Sequence, residues 1–576
     1  MDHKQLRKYM MKFSLESLKS FLGEDLVESL IEWNPGTGTV MTRKNITDML
    51  LSIYGTSLLK NKDFRKNLMK VMSEDEIKSF RIFLPSSYAC CDDLERIVDV
   101  VSATPWRENI ITSHFLRLLE YAESDVFEKK EEVENSIVQI ESHDRFFELL
   151  DYQYIIRQKA LHILTSDVKL QRFLIHMPTG TGKTKTATHI ICHHYNYNLK
   201  KQGLVIWIAH TSELLQQAYE TFCSVWKNIG NGSITTYRLW NEFNIDCSDI
   251  PFNGFMVCGI QKLQAIEKNN PELFIQLVRD ARLIVYDEAH KASANETRQI
   301  IEQFMTLKDG LEDRSLMGLS ATPGRTTEGS FDNELLASMF GNKIISIDTR
   351  LMNAVNMSAQ EAVNSVVEPD IIRYFQNRGV LSQIIKEELI YDQEISDEEI
   401  KKIRVAASNN GYDDFTKSAL EQIGRNKSRN LRIIQRLREL DRDGKPTIVF
   451  ACSVKHGQLL SAMLSSNGVE NALIIGEMTS QERKTLINRF KDRSDSLNII
   501  INYQVLTTGF DATNIECVFI ARPTQSVVLY SQMIGRGLRG PQMGGNETCL
   551  LIDVKDNLRQ YNEHMAFSHF SNYWNR

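Results

Sequence analysis

One short segment constrains the fold of this chain more than any other. An apolar run, Phe173–His176, leads directly into a glycine-rich loop over residues 177–184, with the sequence Met-Pro-Thr-Gly-Thr-Gly-Lys-Thr. Glycines let backbone N–H groups approach a phosphate, and a helix that begins at the loop adds the positive end of its dipole. A strand, such a loop and a helix in this order are typical of a phosphate-binding loop at the edge of a parallel β-sheet.

The residue types in this loop predict a site for ATP and Mg²⁺. Lys183 is placed to reach the β- and γ-phosphates, and the Thr184 hydroxyl is placed to bind Mg²⁺. Met177 stands at the first position of the pattern, where Gly or Ala is usual. We expect the rest of the loop to surround the phosphates, with contacts from Thr179, Gly180, Thr181 and Gly182.

Two adjacent carboxylates follow a second apolar strand about a hundred residues later. The strand Leu283–Tyr286 ends in Asp287 and Glu288, which are followed by Ala289 and His290. Asp287 is placed to hold Mg²⁺, and Glu288 is placed to polarise the attacking water as a general base. An Asp-Glu pair after a strand is usually a solvated loop, but the phosphate-binding loop upstream favours ATP hydrolysis. We expect His290 to couple this site to the rest of the molecule.

Short apolar strands alternate with helical stretches in two series from about residue 150 onward. Continuous runs of Val, Ile and Leu suit strands that are buried on both faces of a parallel sheet. The first series is Phe173–His176, Leu204–Ala209, Phe255–Cys258, Leu283–Tyr286 and Leu316–Leu319; the second is Thr447–Ala451, Ala472–Ile475, Asn498–Ile501, Val518–Ala521 and Leu550–Ile552. Two such series predict two α/β domains in tandem.

Residues 1–150 differ from the rest of the chain in pattern and in charge. Apolar residues recur there at helical spacing, so we predict a mostly helical accessory domain. This region has 20 Lys and Arg against 26 Asp and Glu, which accounts for the whole net charge of −6. We place the two α/β domains at residues 151–340 and 341–576. The acidic region could bind a protein partner or cover a nucleic-acid groove as an autoinhibitor, and the sequence leaves both open.

The phosphate-binding loop and the Asp-Glu-Ala-His segment together resemble a superfamily-2 helicase of the DEAH type. Further segments that resemble motifs of this family follow in the family's order and cover about residues 155–555. The resemblance implies two RecA-like parallel-sheet domains, with ATP bound in the cleft between them. It also implies that Gln158, about twenty residues before the loop, reads the adenine base.

Three segments of the first α/β domain complete the resemblance there. Residues 209–214 and 259–262 resemble motifs that contact the nucleic-acid backbone, and residues 320–323 resemble the motif that couples hydrolysis to movement. The implied contacts to nucleic acid fall on His210, Thr211 and Gln261, and the implied coupling residues are Ser320 and Thr322.

The second α/β domain carries segments that resemble motifs IV, V and VI of the same family. These are residues 448–453, 505–511 and 532–539. In the motif V segment the resemblance implies nucleotide contacts from Gly509 and Asp511 and phosphate contacts from Thr507 and Thr508.

The motif VI segment supplies arginines, which suit the charge that develops during phosphoryl transfer. A guanidinium is always charged and can neutralise the γ-phosphate as it leaves. The resemblance assigns Arg539 as the arginine finger, with Arg536 in support and Gln532 as a further catalytic residue.

The closest branch of the family points to DNA. The segments Val505–Asp511, Ala521–Ser526 and Leu529–Gln532 resemble bacterial RadD-type repair helicases and the motor subunits of restriction systems. This resemblance implies a helicase or translocase on duplex or branched DNA, acting in repair or in defence against phage. Two alternatives stay open. The chain could be an RNA helicase, because such motors contact mainly phosphates, or a nucleic-acid-gated ATPase switch that recruits an effector without unwinding.

Composition excludes several other classes. The mean hydropathy is −0.30 and no run of eighteen apolar residues occurs, so we predict no membrane span. Nine cysteines without a CxxC pair argue against a structural zinc site and favour the reducing cytoplasm. Asp125 and Glu128–Lys130 fit half of a metal-nuclease motif, but the surroundings are typical of a charged helix, and we favour a solvated helix face.

Overall fold

The computed structural model describes most of the chain as a helical domain followed by two sheet domains. The described residues are 3–33, 41–85, 88, 93–127, 135–143, 147–166, 170–248, 250–306, 314–324, 331–347, 371–391, 414–507, 513–524 and 526–554. In this part of the chain, no helix is both long and apolar enough to cross a membrane.

The N-terminal domain is helical, which confirms the prediction from its apolar spacing. Polar side chains cap several of its helices: the hydroxyl of Ser14 accepts a hydrogen bond from the backbone of Ser17, and Ser73 and Glu76 form a reciprocal capping box. The helices are α1 Lys4–Met10, α2 Leu15–Leu22, α3 Glu24–Trp33, α4 Arg43–Tyr54, α5 Lys62–Lys70, α6 Glu74–Ser79, α7 Leu94–Ala103, α8 Ile110–Leu118 and α9 Glu123–Val126, with 3₁₀ turns at Gly55–Lys60 and Phe80–Phe83.

The first sheet has the strand order β1-β4-β5-β3-β6-β7-β2-β8, and its described pairs are parallel except for β1 with β4. Its strands are β1 Ile137–Ile140, β2 Leu170–His176, β3 Leu204–Ala209, β4 Ile234–Leu239, β5 Gly254–Gly259, β6 Ala281–Asp287, β7 Arg314–Ser320 and β8 Ile344–Ser346. Its helices are α10 Asp151–Leu164, α11 Lys183–His193, α12 Ser212–Ile229, α13 Ile260–Asn269, α14 Pro271–Asp280, α15 Asn295–Met305 and α16 Phe331–Met339, with a π-helix at His194–Asn198.

The second sheet is parallel throughout its described pairs and has the order β11-β12-β10-β13-β14-β9. Its strands are β9 Gln383–Leu389, β10 Thr447–Phe450, β11 Asn471–Ile474, β12 Ile499–Asn502, β13 Cys517–Ile520 and β14 Thr548–Val554. Its helices are α17 Ile371–Asn377, α18 Lys417–Gly424, α19 Lys427–Arg442, α20 Val454–Ser466, α21 Ser480–Lys491 and α22 Val527–Ile534. The predicted fold class, two parallel-sheet domains after a helical one, is confirmed.

The domain boundaries differ from those predicted at residues 150 and 340. Strand β1 joins the first sheet at residues 137–140, and β8 joins it at residues 344–346. The first sheet domain therefore begins before residue 151 and continues beyond residue 340. Both strands lie at the edges of the sheet and are only four and three residues long, so each forms a short apolar run that does not stand out in the sequence.

The helical domain packs on the second sheet domain. Helix α4 lies against helix α20 and against the edge strand β11. Its buried residues Met49, Leu50 and Ile53 belong to the same apolar core as Leu460 and Leu473. The two domains therefore share one core.

Candidate active site

The glycine-rich loop lies at the carboxyl edge of the first sheet, between β2 and α11. Gly180 and Gly182 have φ angles of 87° and 81°, in the left-handed region that favours glycine. Gly182 caps α11 without a side-chain hydrogen bond, so the first N–H groups of the helix remain for a ligand. The buried Thr181 donates from its hydroxyl to the carbonyl of Pro178 at 2.8 Å, which closes the loop. Thr179 and Thr184 are both half-buried at this edge.

A tyrosine and a glutamine at the start of α10 donate hydrogen bonds to the backbone of the loop. The Tyr152 hydroxyl and Gln153 Nε2 each donate to the carbonyl of Thr181, at 2.9 Å. A Cβ atom on Gly182 would lie 2.4 Å from Gln153 Nε2, and the φ angle of 81° favours glycine there. Gln153 Oε1 also accepts from the backbone N–H of Leu150 at 3.0 Å, as in a capping box.

The glutamine that contacts the loop is therefore Gln153, whereas the role of Gln158 in reading the adenine base stays a prediction. Gln158 is exposed on the same helix. Five residues place the two side chains about 140° apart around a helix, so they cannot face the loop together. The signal that the sequence reasoning missed is the capping position of Gln153 at the start of α10.

The carboxylates after β6 lie beside the lysine of the loop. Lys183 Nζ is 4.0 Å from Glu288 Oε1, and the backbone N–H of Glu288 donates to Asp287 Oδ1 at 2.9 Å. Burial raises the pKa of Asp287 to about 6, although the charge of Lys183 opposes this. Burial also acts to raise the pKa of Glu288, but the positive charge of Lys183, with smaller effects of other cations, lowers it overall. An ionised Glu288 suits a general base.

Glu288 adopts an unusual backbone conformation for a residue other than glycine. Its φ and ψ angles are 53° and 55°, in the left-handed region. Such a conformation costs on the order of 1 to 3 kcal/mol and persists where the surroundings hold it. The turn places Asp287 and Glu288 at the same edge of the sheet as the loop.

His290 joins this site to the second sheet domain. Its Nδ1 lies 3.4 Å from Glu288 Oε2, and its Nε2 lies 3.4 Å from Gln532 Nε2 on helix α22. Burial lowers the pKa of His290 to about 4, so the ring is neutral at pH 7 and can accept from the Gln532 amide. The contact spans the cleft and brings together two residues from opposite domains.

Ser320 and Thr322 lie next to the start of the glycine-rich loop. The Ser320 hydroxyl donates to the Thr322 carbonyl at 2.6 Å and accepts from the Thr322 N–H at 3.1 Å, and both residues are buried. The backbone N–H of Met177 donates to the Ser320 carbonyl at 3.2 Å. This turn is therefore attached to the loop through the neighbouring strands β2 and β7.

The arginine segment of the second domain reaches the loop. A Cβ atom on Gly535 would lie 2.7 Å from Thr179 Cγ2, and one on Gly180 would lie 3.7 Å from Arg539 Cγ. The charge of Arg536 contributes to the lowered pKa of Glu288. Both arginines therefore lie at the site formed by the first domain.

The predicted nucleic-acid residues form a second group. His210 follows β3, and its carbonyl accepts from Gln261 Nε2 at 3.4 Å. The Tyr286 hydroxyl lies 2.5 Å from His210 Nε2, which links this group to the strand that carries the carboxylates. The Thr211 hydroxyl caps helix α12 by accepting from the backbone of Leu214.

Of the four predicted residues of the motif V segment, the structure describes only the backbone of Thr507. Thr507 ends a 3₁₀ turn at Val505–Thr507. The other three, Thr508, Gly509 and Asp511, lie outside the described residues, as do Glu128–Lys130 of the half nuclease motif.

The residues present suit a magnesium ion that shares its ligands with phosphates. In the described ranges, no three His, Cys, Asp or Glu residues cluster as a metal site would require. Asp287 is a buried carboxylate beside Lys183, and Thr184 follows Lys183 in the first turn of α11. A hydroxyl and one carboxylate leave the remaining positions around Mg²⁺ to water and phosphate oxygens, as this ion prefers.

Comparison with known families matches both sheet domains. Residues 138–325 match the family described as type III restriction enzyme, res subunit, and residues 429–540 match the helicase conserved C-terminal domain. The chain belongs to superfamily 2 of the helicases. Within that superfamily it is related to the restriction-motor helicases, as predicted, whereas the RadD-type assignment stays a prediction.

Individual relatives of this superfamily-2 chain are distant. It is 24% identical over 418 residues to IRC3 of Saccharomyces cerevisiae, named as a candidate ATP-dependent helicase, with 70% of this chain and 51% of IRC3 covered. It is 23% identical over 401 residues to the type I restriction enzyme EcoAI endonuclease subunit of Escherichia coli, with 67% and 43% covered. A solved fragment assigned to an HsdR subunit from Vibrio vulnificus gives a TM-score of 0.46 at 18% identity, with 77% and 69% covered. The chain spans about half the length of the curated relatives that it matches.

Proposed function

We propose that this superfamily-2 chain is an ATP-dependent DNA translocase or helicase. The proposal rests on one observation: charged residues of both sheet domains lie next to the glycine-rich loop. Lys183, Asp287 and Glu288 come from the first sheet domain, and Arg536 and Arg539 reach the same loop from the second. Such a site can bind a nucleoside triphosphate and respond to the loss of its last phosphate.

The side chains of the first domain support hydrolysis. The N–H groups at the start of α11 and Lys183 bind the phosphates, and Thr184 and Asp287 would hold Mg²⁺. When bound, this ion neutralises charge on the phosphate oxygens. The ionised Glu288 accepts a proton from the attacking water, and the nearby Lys183 keeps it ionised.

The side chains of the second domain connect hydrolysis to movement. Arg539 stabilises the charge on the γ-phosphate, and the contact between Gln532 and His290 holds the cleft closed. Once the γ-phosphate has left, the arginine loses its anionic partner and the closed state loses stability. Alternation between a closed and an open cleft changes the spacing of nucleic-acid contacts on the two domains, which can drive stepping.

One relative supports DNA as the substrate, although an RNA helicase also matches 20% of this chain. That relative is a restriction endonuclease subunit, and restriction systems act on DNA. We infer a duplex or branched DNA substrate and a role in repair or in defence against phage DNA. RNA as substrate, and a switch that hydrolyses ATP without unwinding, are outcomes that the following experiments separate.

The first experiment measures the ATPase rate of the full chain with single-stranded, duplex and forked DNA and with the matching RNAs. We expect stimulation by DNA that disappears in Lys183→Ala and Glu288→Gln. Lys185→Ala is the matched control, because this lysine donates to the carbonyl of Glu148 and not to the site. Stimulation by RNA alone would contradict the DNA proposal.

A second experiment separates the possible outputs of hydrolysis. Displacement of a strand from a forked duplex would identify a helicase. Displacement of a third strand from a triplex, without duplex separation, would identify a translocase. DNA-stimulated hydrolysis with neither output would contradict the motor and favour the switch.

A further inference from the structure

A short segment outside both matched family regions contacts residues 538–546, which carry Arg539 and are called the arginine loop below. Residues 379–382 lie between the matched ranges 138–325 and 429–540. They connect helix α17 to the edge strand β9. The contacts of this segment join the glycine-rich loop of the first domain to Arg539 of the second.

Ser382 makes the central contact of the segment. It is fully buried, and its hydroxyl lies within hydrogen-bond distance of two carbonyl oxygens, that of Arg539 at 2.6 Å and that of Asn546 at 2.8 Å. A hydroxyl has one proton to donate, so the two carbonyls share it. The backbone N–H of Ser382 donates to the carbonyl of Leu538 at 2.9 Å. One residue thus binds the backbone carbonyls on both sides of the Arg539 Cα atom.

Backbone packing around Arg539 leaves little room for rearrangement. Leu381 and Arg539 form an antiparallel bridge. A Cβ atom on Gly545 would lie 2.0 Å from the Arg539 carbonyl oxygen, and one on Gly540 would lie 2.3 Å from the Gly379 carbonyl oxygen. The two segments therefore pack backbone to backbone, and a shift of residues 379–382 must move Arg539 with it.

The same segment is attached to the first domain. A Cβ atom on Gly180 would lie 3.5 Å from Leu381 Cδ2. On α17, the Phe375 ring packs edge-on to Tyr152, which holds the carbonyl of Thr181. Arg378 forms an ion pair with Asp151 at 2.8 Å. Residues 371–382 therefore contact the glycine-rich loop and the start of α10, and they also bind the arginine loop.

We propose that Ser382 is a positioning residue that fixes the backbone of Arg539 relative to the glycine-rich loop, so that the guanidinium reaches the γ-phosphate. This inference rests on the proposed role of Arg539. Ser382 acts through Arg539 and does not touch ATP. The hydrogen bond to the Arg539 carbonyl sets the direction in which the side chain leaves the loop, and displacement of a catalytic group by about 1 Å can cost on the order of 100-fold in rate.

The test compares the ground state with a mimic of the transition state in Ser382→Ala. The full chain is titrated with ADP and Mg²⁺, and separately with ADP, aluminium fluoride and Mg²⁺. We expect ADP affinity to change less than about twofold and affinity for the aluminium fluoride complex to fall by about 10- to 100-fold. The kcat for ATP should fall by a similar factor while KM is nearly unchanged.

Three further variants make the result specific. Arg539→Ala should show the same selective loss, and the double variant Ser382→Ala/Arg539→Ala should lose no more than Arg539→Ala alone, because both act through one group. Ser461→Ala is the matched control, since this buried serine donates to Asn471 Oδ1 at 2.7 Å, away from the arginine loop. Ser382→Cys keeps a side chain that donates, although more weakly and with a larger sulfur atom, and provides a second comparison if Ser382→Ala does not fold.

Each outcome decides between the positioning role and its alternatives. Unchanged affinity for the aluminium fluoride complex in a folded Ser382 variant would overturn the inference. Equal losses for ADP and for the complex would indicate a structural role and would also overturn it. If Arg539→Ala itself loses no selectivity, the proposed role of Arg539 fails first, and the result is distinguishable from a failure of Ser382 alone.

Discussion

Gln153 and Gln158 offer a direct comparison between two glutamines of one helix. Gln153→Ala removes the hydrogen bond to the Thr181 carbonyl, whereas Gln158 is exposed. Loss of one such bond costs about 1 kcal/mol, so we expect KM for ATP to rise about fivefold in Gln153→Ala. Steady-state ATPase kinetics would measure it, with Gln158→Ala as the control at the wild-type value. A larger effect of Gln158→Ala would return the nucleotide contact to the residue that the family pattern implies.

Tyr286 connects the predicted nucleic-acid residues to the carboxylates. Its hydroxyl bonds to His210 Nε2, and Asp287 is the next residue along β6. Burial lowers the pKa of His210 to about 4, so the ring is neutral and the bond persists at pH 7. Tyr286→Phe removes this bond together with the hydrogen bond between the Tyr286 hydroxyl and Thr297, and we expect the ratio of DNA-stimulated to basal ATPase rate to fall about fivefold.

Tyr195→Phe is the matched control for that variant. The Tyr195 hydroxyl bonds to Asn253 Oδ1 in the same domain, away from the carboxylates. An equal fall in both variants would indicate a general loss of stability. An unchanged ratio in Tyr286→Phe would show that the two groups of residues communicate by another route.

At the scale of elements, the sequence predicted ten of the described strands and missed four, three of which lie at sheet edges. All ten predicted strands are present, because a parallel strand that is buried on both faces must be apolar, as in Leu204–Ala209. The missed strands include three at sheet edges, among them β9, which carries Lys386, Glu387 and Glu388. Edge strands face solvent on one side and tolerate charge, so their sequences resemble loops or helices.

In the candidate site, the sequence likewise predicted residues that are close together in the chain and missed contacts between residues that are far apart in it. Residues within one motif, such as Lys183 and Thr184, could be assigned because a loop and the helix after it are contiguous in sequence. The contacts of Gln153 with Thr181 and of Ser382 with Arg539 join residues that are 28 and 157 positions apart. No local pattern marks Ser382, and the capping position of Gln153 does not by itself name Thr181 as its partner, so only the fold reveals the two contacts.

Helix α21 attaches the helical domain through a buried carboxylate. Glu482 accepts hydrogen bonds from Thr56 at 2.7 Å and Ser57 at 3.1 Å, and it pairs with Lys60 at 3.4 Å. Burial acts to raise the pKa of Glu482, but the Thr56 hydrogen bond and the Lys60 charge contribute to lowering it overall. A carboxyl group whose pKa is lower in the folded state than in the unfolded state stabilises the folded protein at pH values above the unfolded pKa. This contribution is lost as the pH falls from the unfolded pKa through the folded pKa.

Glu482→Gln should therefore lower stability in a pH-dependent way. At pH 7 we expect a loss of about 2 kcal/mol in the free energy of opening the domain contact, since hydrogen bonds to a charged group are lost. The difference from the wild type should shrink as the pH falls below about 4.5. Thermal unfolding at pH 7 and at pH 4 measures it, and Glu470→Gln, on the same domain, is the control. A difference that grows towards low pH would contradict the assignment.

For the whole molecule, the shared core limits what the acidic N-terminal domain can do. Its helix α4 covers α20 and β11, so removal of residues 1–150 would expose apolar residues of the second sheet domain, such as Leu460 and Leu473. A truncated chain would therefore report on stability as well as on DNA affinity. Substitutions that leave this core intact are the better way to separate autoinhibition from partner binding.

The start of α21 is where the three domains meet. Gln481 donates to the Ser124 carbonyl of the helical domain, and Arg483 forms an ion pair with Glu213 of the first sheet domain. Glu213 lies in the first turn of α12, next to the predicted nucleic-acid residues His210 and Thr211. Closure of the cleft at this position therefore depends on a pair of opposite charges beside the proposed DNA path.

Reversal of these charges tests whether the pair helps to close the cleft. Arg483→Glu and Glu213→Arg each place like charges opposite one another, and we expect DNA-stimulated kcat to fall about fivefold in either variant, which corresponds to about 1 kcal/mol. The double variant restores opposite charges and should recover most of the rate, because the two residues interact directly. Stimulated ATPase rates of the four proteins measure the coupling. If the double variant is no faster than the single ones, the pair does not contribute to closure, and the contact between His290 and Gln532 must hold the cleft without it.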